Sequence, residues 1–201
     1  MRTPRLEFWF EFASTYSYLS ACRVEAAAER AGVAVSWEPF LLGPIFAQQG
    51  WEDSPFNVYP AKGRYMWRDV ERLCAKHGVP FVRPSAFPRS GLLAARVASL
   101  ARATSEPWLP DFSRSVFRAN FAEDREIGDV AEVASLLDSL GLAGSRLVEQ
   151  AQAPENKQRL RQQTRRATDL GIFGAPSFVV DGELFWGNDR LEDALGWTGT
   201  R

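Results

Sequence analysis

Cysteine is scarce in this chain of 201 residues: there are two, Cys22 and Cys74, far apart and in no C-x-x-C pair. They read as buried thiols on helix faces, and dithiol redox chemistry lacks its second sulfur. Histidine is scarcer still, with His77 alone. A zinc site built from His and Cys would be short of ligands, so no metal is expected. A Ser-His-Asp triad would depend on that one residue, which in Lys76-His77-Gly78 reads as a helix ending. No apolar run approaches the roughly 20 residues that cross a bilayer, so no membrane partner is expected. The opening Met1-Arg2-Thr3-Pro4-Arg5 carries no apolar signal core, and the chain is expected to be cytoplasmic. Neither sign of charge dominates, 24 basic residues facing 25 acidic ones, which argues against a nucleic-acid partner.

What the chain does have is an aromatic strand that stops abruptly. In Leu6 to Phe12 the residues Leu6, Phe8, Phe10 and Phe12 share one face of a period-2 ladder, with Glu7, Trp9 and Glu11 on the other. Small and hydroxylic residues follow, and then Leu19 to Arg30 reads as a helix ended by Gly32. Ser14 thus falls where a strand hands over to a helix. It reads as an N-cap, and equally as a hydroxyl near unpaired N–H groups where an anion is stabilised.

Val33, Val35 and Trp37 mark a second half-buried strand, which completes a βαβ unit with a right-handed crossover. From Pro39 to Pro60 the sequence reads as a loop rich in aromatics, either a covering flap or the lining of a groove. From Ala61 to Leu170 the pattern is helical throughout. Asp129 and Glu132 form a capping box, and the basic run from Lys157 to Arg166 reads as a solvated face. Two short strands then flank Asp181-Gly182, a hairpin turn, and Asn188 or Asp189 caps a last helix. The order defines an α/β chain: a thioredoxin-like fold with an all-helical domain inserted between its βαβ and ββα halves. Residues 1–60 and 171–201 form the thioredoxin-like domain, and 61–170 the insert. Gly174-Ala175-Pro176-Ser177-Phe178 offers a place for a cis proline before a core strand. In this fold that turn lies beside the first helix, where the residue before the proline can pair with an extended peptide.

With these stretches in place, the chain resembles the 2-hydroxychromene-2-carboxylate isomerase family of the DsbA-like group, kin of the kappa-class glutathione transferases. The resemblance rests on Phe10-Glu11-Phe12-Ala13-Ser14-Thr15-Tyr16-Ser17-Tyr18-Leu19, Trp37-Glu38-Pro39-Phe40-Leu41-Leu42-Gly43, Lys62-Gly63-Arg64-Tyr65, Phe173-Gly174-Ala175-Pro176-Ser177-Phe178 and Phe185-Trp186-Gly187-Asn188-Asp189-Arg190-Leu191. It implies a cytoplasmic, homodimeric enzyme that uses glutathione as cofactor and takes a small aromatic substrate. By position it implies Ser14 as the catalytic residue and Ala175 with Pro176 as the backbone partner of the cysteinyl unit. Asn188 and Asp189 would hold the γ-glutamyl end, and Lys62 and Asp69 would approach glutathione, Asp69 from a partner subunit. The sequence departs from the family at Thr15, where a proline usually follows the serine, and at Trp51, aligned with a glutathione-contacting asparagine.

The implied chemistry is physically coherent. A free thiol with a pKa of about 8.5 is only a few per cent thiolate at neutral pH, and the thiolate is the nucleophile. Lowering that pKa by about two units, roughly 2.7 kcal/mol, makes the thiolate dominant. Ser14 would supply the hydrogen bond. Phe40, Trp51 and Tyr65 would form an apolar slot for an aromatic ring, and Lys62 or Arg64 would pair a substrate carboxylate. Three readings follow: a glutathione-dependent isomerase, a kappa-like transferase or peroxidase, and a glutathione- or peptide-binding module without turnover.

Overall fold

A computed structural model of the chain describes residues 3–198; the ends of the two-part domain assignment, residues 1–2 and 199–201, lie outside the described residues. The elements run β1 (Arg5–Phe10), α1 (Thr15–Ala21), α2 (Val24–Ala31), β2 (Ala34–Pro39), α3 (Leu42–Gln48), α4 (Pro55–Val58) and α5 (Pro60–His77). They continue α6 (Leu92–Ala103), α7 (Leu109–Phe121), α8 (Val130–Ser139), α9 (Gly144–Ala151), α10 (Pro154–Asp169), β3 (Ser177–Val180) and β4 (Glu183–Trp186). A 3-10 turn (Asn188–Arg190) leads into α11 (Leu191–Trp197).

The four strands form one sheet in the order β2-β1-β3-β4. β1 is parallel to β2 and antiparallel to β3, and β3 is antiparallel to β4. Phe8 sits opposite both Trp37 and Phe178, so the aromatic ladder of β1 is gripped from two sides. The turn between β3 and β4 is Asp181-Gly182, with φ of +49° and +86°, the left-handed pair that a two-residue hairpin needs.

Both faces of the central strand β1 are buried, while β4 at the edge stays partly exposed. Leu6, Phe8 and Phe10 belong to the main core, but Trp9, expected on the outer face, is fully buried on the opposite side with Phe40, Ile45, Ala167, Ile172 and Val179. A central strand covered by helices on both sides cannot keep a polar face, because α3 and α10 bury it. On that same side Glu38, 1% exposed, accepts from Ser36 Oγ at 2.6 Å, Gln163 Nε2 at 2.6 Å and Arg166 Nη1 at 3.3 Å, and from Arg102 Nε. A carboxylate this deep is tolerated because its partners replace the lost water. Arg166 also pairs with Glu7 at 2.5 Å and lies 4.8 Å over the Trp9 ring, so it is no part of a solvated face.

Three local expectations are corrected. Leu19 to Arg30 is not one helix: the chain breaks at Cys22-Arg23, where the Arg23 guanidinium reaches Asn188 and Glu192, and Cys22 is exposed at the joint rather than buried. The Pro39 to Pro60 stretch contains α3 and α4. Gly43 and Pro44, which look like loop residues, fall in the first turn of α3, where a missing N–H costs nothing. The block from 61 to 170 is not helical throughout, since residues 78–91 form an extended connection after Gly78 (φ +65°) ends α5. That connection is anchored by Arg89, whose buried guanidinium donates to the Asn120 carbonyl and Oδ1 and pairs with Asp124. Asn120 in turn donates to the Phe12 carbonyl at 3.1 Å, which braces the end of the first strand from the helical side. Among the described residues, no helix is long and apolar enough to cross a membrane.

Candidate active site

β1 ends at Phe10 and the chain turns through Glu11-Phe12-Ala13, the Ser14 N–H donating to the Glu11 carbonyl at 3.0 Å. Ser14 is the N-cap of α1 with extended backbone (φ −83°, ψ 116°), and its Oγ accepts the Ser17 N–H at 3.1 Å. The same hydroxyl donates to the Ala175 carbonyl at 2.9 Å, across 161 residues of sequence. Capping and a site role are therefore combined in one side chain.

Ala175 precedes Pro176 through a cis peptide bond. The turn that presents it is fixed on three sides. Ser177 Oγ donates to the Gly174 carbonyl at 2.9 Å, Gly187 N–H donates to the Pro176 carbonyl at 3.0 Å, and Trp186 lies across Gly174. A Cβ at Gly174 would come within 2.4 Å of Trp186 Nε1, so only glycine lets the indole settle there.

Ser14 and Ala175 line a cleft of about 1860 Å³. Ligand pockets usually measure about 300–1,000 Å³, so this one is large enough for a peptide-sized molecule and a second small one. Leu41, Leu42, Phe46 and Trp51 form one wall, Trp51 packing its ring 5.5 Å from that of Phe46. α5 contributes Lys62, Tyr65 and Asp69, which its helical spacing sets on one face. Asp69 accepts from Tyr16 OH at 3.0 Å and faces Arg72 at 3.3 Å. Burial and the Asp69 carboxylate push the Tyr16 pKa up, so the phenol keeps its proton. Exposed Phe173 and Trp186, ring centroids 4.8 Å apart, stand at the margin.

The residues singled out in the sequence divide as follows. Ser14, Ala175, Pro176, Asn188, Asp189, Lys62, Asp69, Trp51 and Tyr65 all line the cleft. Asp69 does so in its own chain, where the resemblance assigned it to a neighbouring subunit's site. Asn188 is only 4% exposed, and its Oδ1 accepts from Ser20 Oγ at 3.1 Å and Arg23 Nη1 at 3.0 Å. It ties the last turn to α1; neither it nor Asp189 caps α11, whose N-cap is Arg190. Two assignments are overturned. Phe40 is fully buried against Trp9, 5.9 Å between centroids, because it continues β2 into the core under α10 and not into the cleft. Arg64 points off a different face of α5 from Lys62, Tyr65 and Asp69 and does not line the cleft.

The sequence reading missed Glu11. Alternation set it on the polar face of β1, but the strand ends one residue earlier and the side chain turns into the cleft. Its Oε2 accepts the Ala13 N–H at 3.0 Å, and burial raises its pKa from 4.5 to about 7 against that hydrogen bond. The stabilising form in the folded chain is thus the protonated one. Its contribution is complete below pH 4.5 and is lost as pH rises through about 7. Glu11→Gln, which has no charge to bury, is expected to gain stability relative to the parent between pH 5 and pH 8, measured by denaturant unfolding at both. An equal difference at the two pH values would count against this.

A four-stranded sheet in the order β2-β1-β3-β4, a cis proline turn facing the start of the first helix and helices between the halves make this a DsbA-like thioredoxin fold. Residues 5–196 match the family model of the DSBA-like thioredoxin domain, and the chain belongs to that family. It is 28% identical to a 2-hydroxychromene-2-carboxylate isomerase of Sphingobium xenophagum over 191 residues, 94% of this chain and 95% of the relative. It is 24% identical to glutathione S-transferase kappa 1 of Caenorhabditis elegans over 210 residues, 94% of this chain and 88% of the relative. A solved 2-hydroxychromene-2-carboxylate isomerase shares the fold with a TM-score of 0.83 at 24% identity, covering 96% of this chain and 95% of that one.

Proposed function

We propose that the chain is a glutathione-dependent isomerase of 2-hydroxychromene-2-carboxylate or a related aromatic α,β-unsaturated pyruvate. The observation that carries the reading is the 2.9 Å contact between Ser14 Oγ and the Ala175 carbonyl on the wall of a cleft large enough for a tripeptide and an aromatic acid. A peptide extended along Ala175 would pair with its main chain and lay a cysteinyl sulfur beside Ser14. Ser14 has one proton, and without ligand it is given to Ala175. Glutathione binding would turn that proton to the sulfur while Oγ keeps the Ser17 N–H, and the thiolate would be stabilised where it reacts.

The sulfur adds to the conjugated benzylic carbon, the former double bond rotates as a single bond, and elimination returns the thiolate with the alkene geometry changed. Leu42, Phe46, Trp51 and Tyr65 form the apolar surroundings suited to the aryl ring, and Lys62 is the cation suited to the carboxylate. Exposed Asp189 and buried Asn188 are assigned to the γ-glutamyl group, and Asp69 is assigned to glutathione as well. A homodimer in the cytoplasm completes the proposal. Disulfide exchange is not part of it, because positions 14 to 17 are Ser, Thr, Tyr and Ser, and burial pushes the Cys74 thiol up to about 12.

The kappa transferase relative favours a second reading, conjugation by the same thiolate. One assay separates the two. With substrate in excess, an isomerase changes the alkene geometry and leaves total free thiol constant, the result expected here. Loss of one thiol per product would assign the chain to the transferases, and binding of glutathione without product would leave a binding module.

A further inference from the structure

Among the described residues Glu11 has no ion-pair partner, as Glu52 and Asp53 of the cleft also have none, but Glu11 alone of the three is joined to the serine turn, through the Ala13 N–H. Asp69 faces Arg72, Asp189 faces Arg190 and Glu192 faces Arg23. Arg89 is the one charged residue on the 87–92 segment beside Glu11, and its guanidinium is committed to Asn120, Asp124 and Glu126. The other charged and titratable groups that line the cleft are Arg23, Glu52, Asp53, Lys62, Tyr65, Asp69, Lys76, His77, Asp189, Arg190 and Glu192, with Tyr16 on α1 bonded to Asp69. Glu11 Oε2 is held by the Ala13 N–H, while Oε1 carries no hydrogen bond among the described residues. A Cβ at Gly91 would stand 3.1 Å from Oε1 and 2.8 Å from Phe12 Cβ, so a glycine at that position leaves the carboxyl its place.

We propose that Glu11 is a second catalytic residue, the acid that gives a proton to the substrate's keto oxygen as sulfur adds and takes it back as sulfur leaves. The proposal rests on the isomerase reading above. When the carbon–sulfur bond forms, the alkene electrons move toward the conjugated carbonyl. The Glu11 carboxyl transfers its proton to that oxygen, which leaves an enol and a Glu11 carboxylate. After rotation the carboxylate reclaims the proton, the carbonyl and alkene re-form, and the carbon–sulfur bond breaks to release thiolate. Nothing is oxidised or consumed. The setting suits the task, because a desolvated carboxyl without a cation is easily kept protonated, and an arriving thiolate strengthens that preference.

The test is the pH profile of turnover in wild type and Glu11→Gln, with glutathione affinity measured alongside by calorimetry. Thiolate formation gives a limb that rises with pH; loss of the Glu11 proton gives a limb that falls through about pH 7 or above. Glu11→Gln is expected to lose about 10²-fold or more in kcat, to bind glutathione within about threefold of wild type and to lose the falling limb. Glu11→Asp, which keeps an acid, is expected to retain that limb. Wild-type turnover with no falling limb, or a Gln variant with unchanged kcat and profile, overturns the role of Glu11 and leaves the isomerase reading standing. If Glu11→Gln does not fold, the wild-type limb and the Asp variant decide. Wild type that binds glutathione but isomerises no conjugated aryl pyruvate overturns both.

Discussion

Ser14→Ala is expected to reduce isomerase turnover by about 10²-fold or more, the size of loss seen when a single donor to a developing charge is removed. The variant also loses the helix cap, about 1 kcal/mol, and the bond to Ala175, about another 1 kcal/mol. Those losses lower stability without removing the fold, so rates are compared well below the unfolding midpoint. The distinguishing readout is the ionisation of bound glutathione, followed through thiolate absorbance against pH. In wild type the sulfur is expected to ionise about two units below the free value, and in the variant to move back toward about 8.5. Turnover within twofold of wild type would remove Ser14 from the mechanism.

Phe10→Ala is expected to cost about 3–5 kcal/mol of stability, the usual range for emptying a buried phenylalanine site. Phe10 is fully buried, and its ring centroid lies 5.3 Å from Phe8, 5.3 Å from Phe12, 5.4 Å from Trp37 and 5.9 Å from Phe117. It joins the sheet to α7, the helix whose Asn120 holds the Phe12 carbonyl, so the cavity would open directly beneath the serine turn. Denaturant unfolding measures the change as a shift in midpoint at constant slope. A loss under about 1 kcal/mol would show that neighbouring rings refill the space and that this cluster does not set the turn's position.

These two residues also mark how far the chain could be read in advance. Local signals carried the strand of alternating aromatics, the Asp181-Gly182 hairpin, the helix ends at Gly32 and Gly78 and the Asp129 cap, each of which depends on neighbours in sequence. The same signals brought Ser14 and the Ala175-Pro176 turn to the first helix, because element order alone implies the topology. What stayed hidden depends on partners far along the chain. Trp9 is buried by α3 and α10, the break at Arg23 is held by Asn188 and Glu192, and Arg166 leaves its basic run for Glu7 and Glu38. Phe40 has the composition of a binding-site residue, and only the covering helix shows it to be core. Glu11 was masked by a strand that ends at Phe10, two residues sooner than its alternation suggests.

The most direct measurement is a crystal structure of the chain with glutathione. The tripeptide is expected to lie extended along Ala175, with its sulfur within hydrogen-bonding reach of Ser14 Oγ and the hydroxyl turned away from the Ala175 carbonyl. A sulfur bound elsewhere in the cleft, with the Ser14 to Ala175 bond intact, would contradict it.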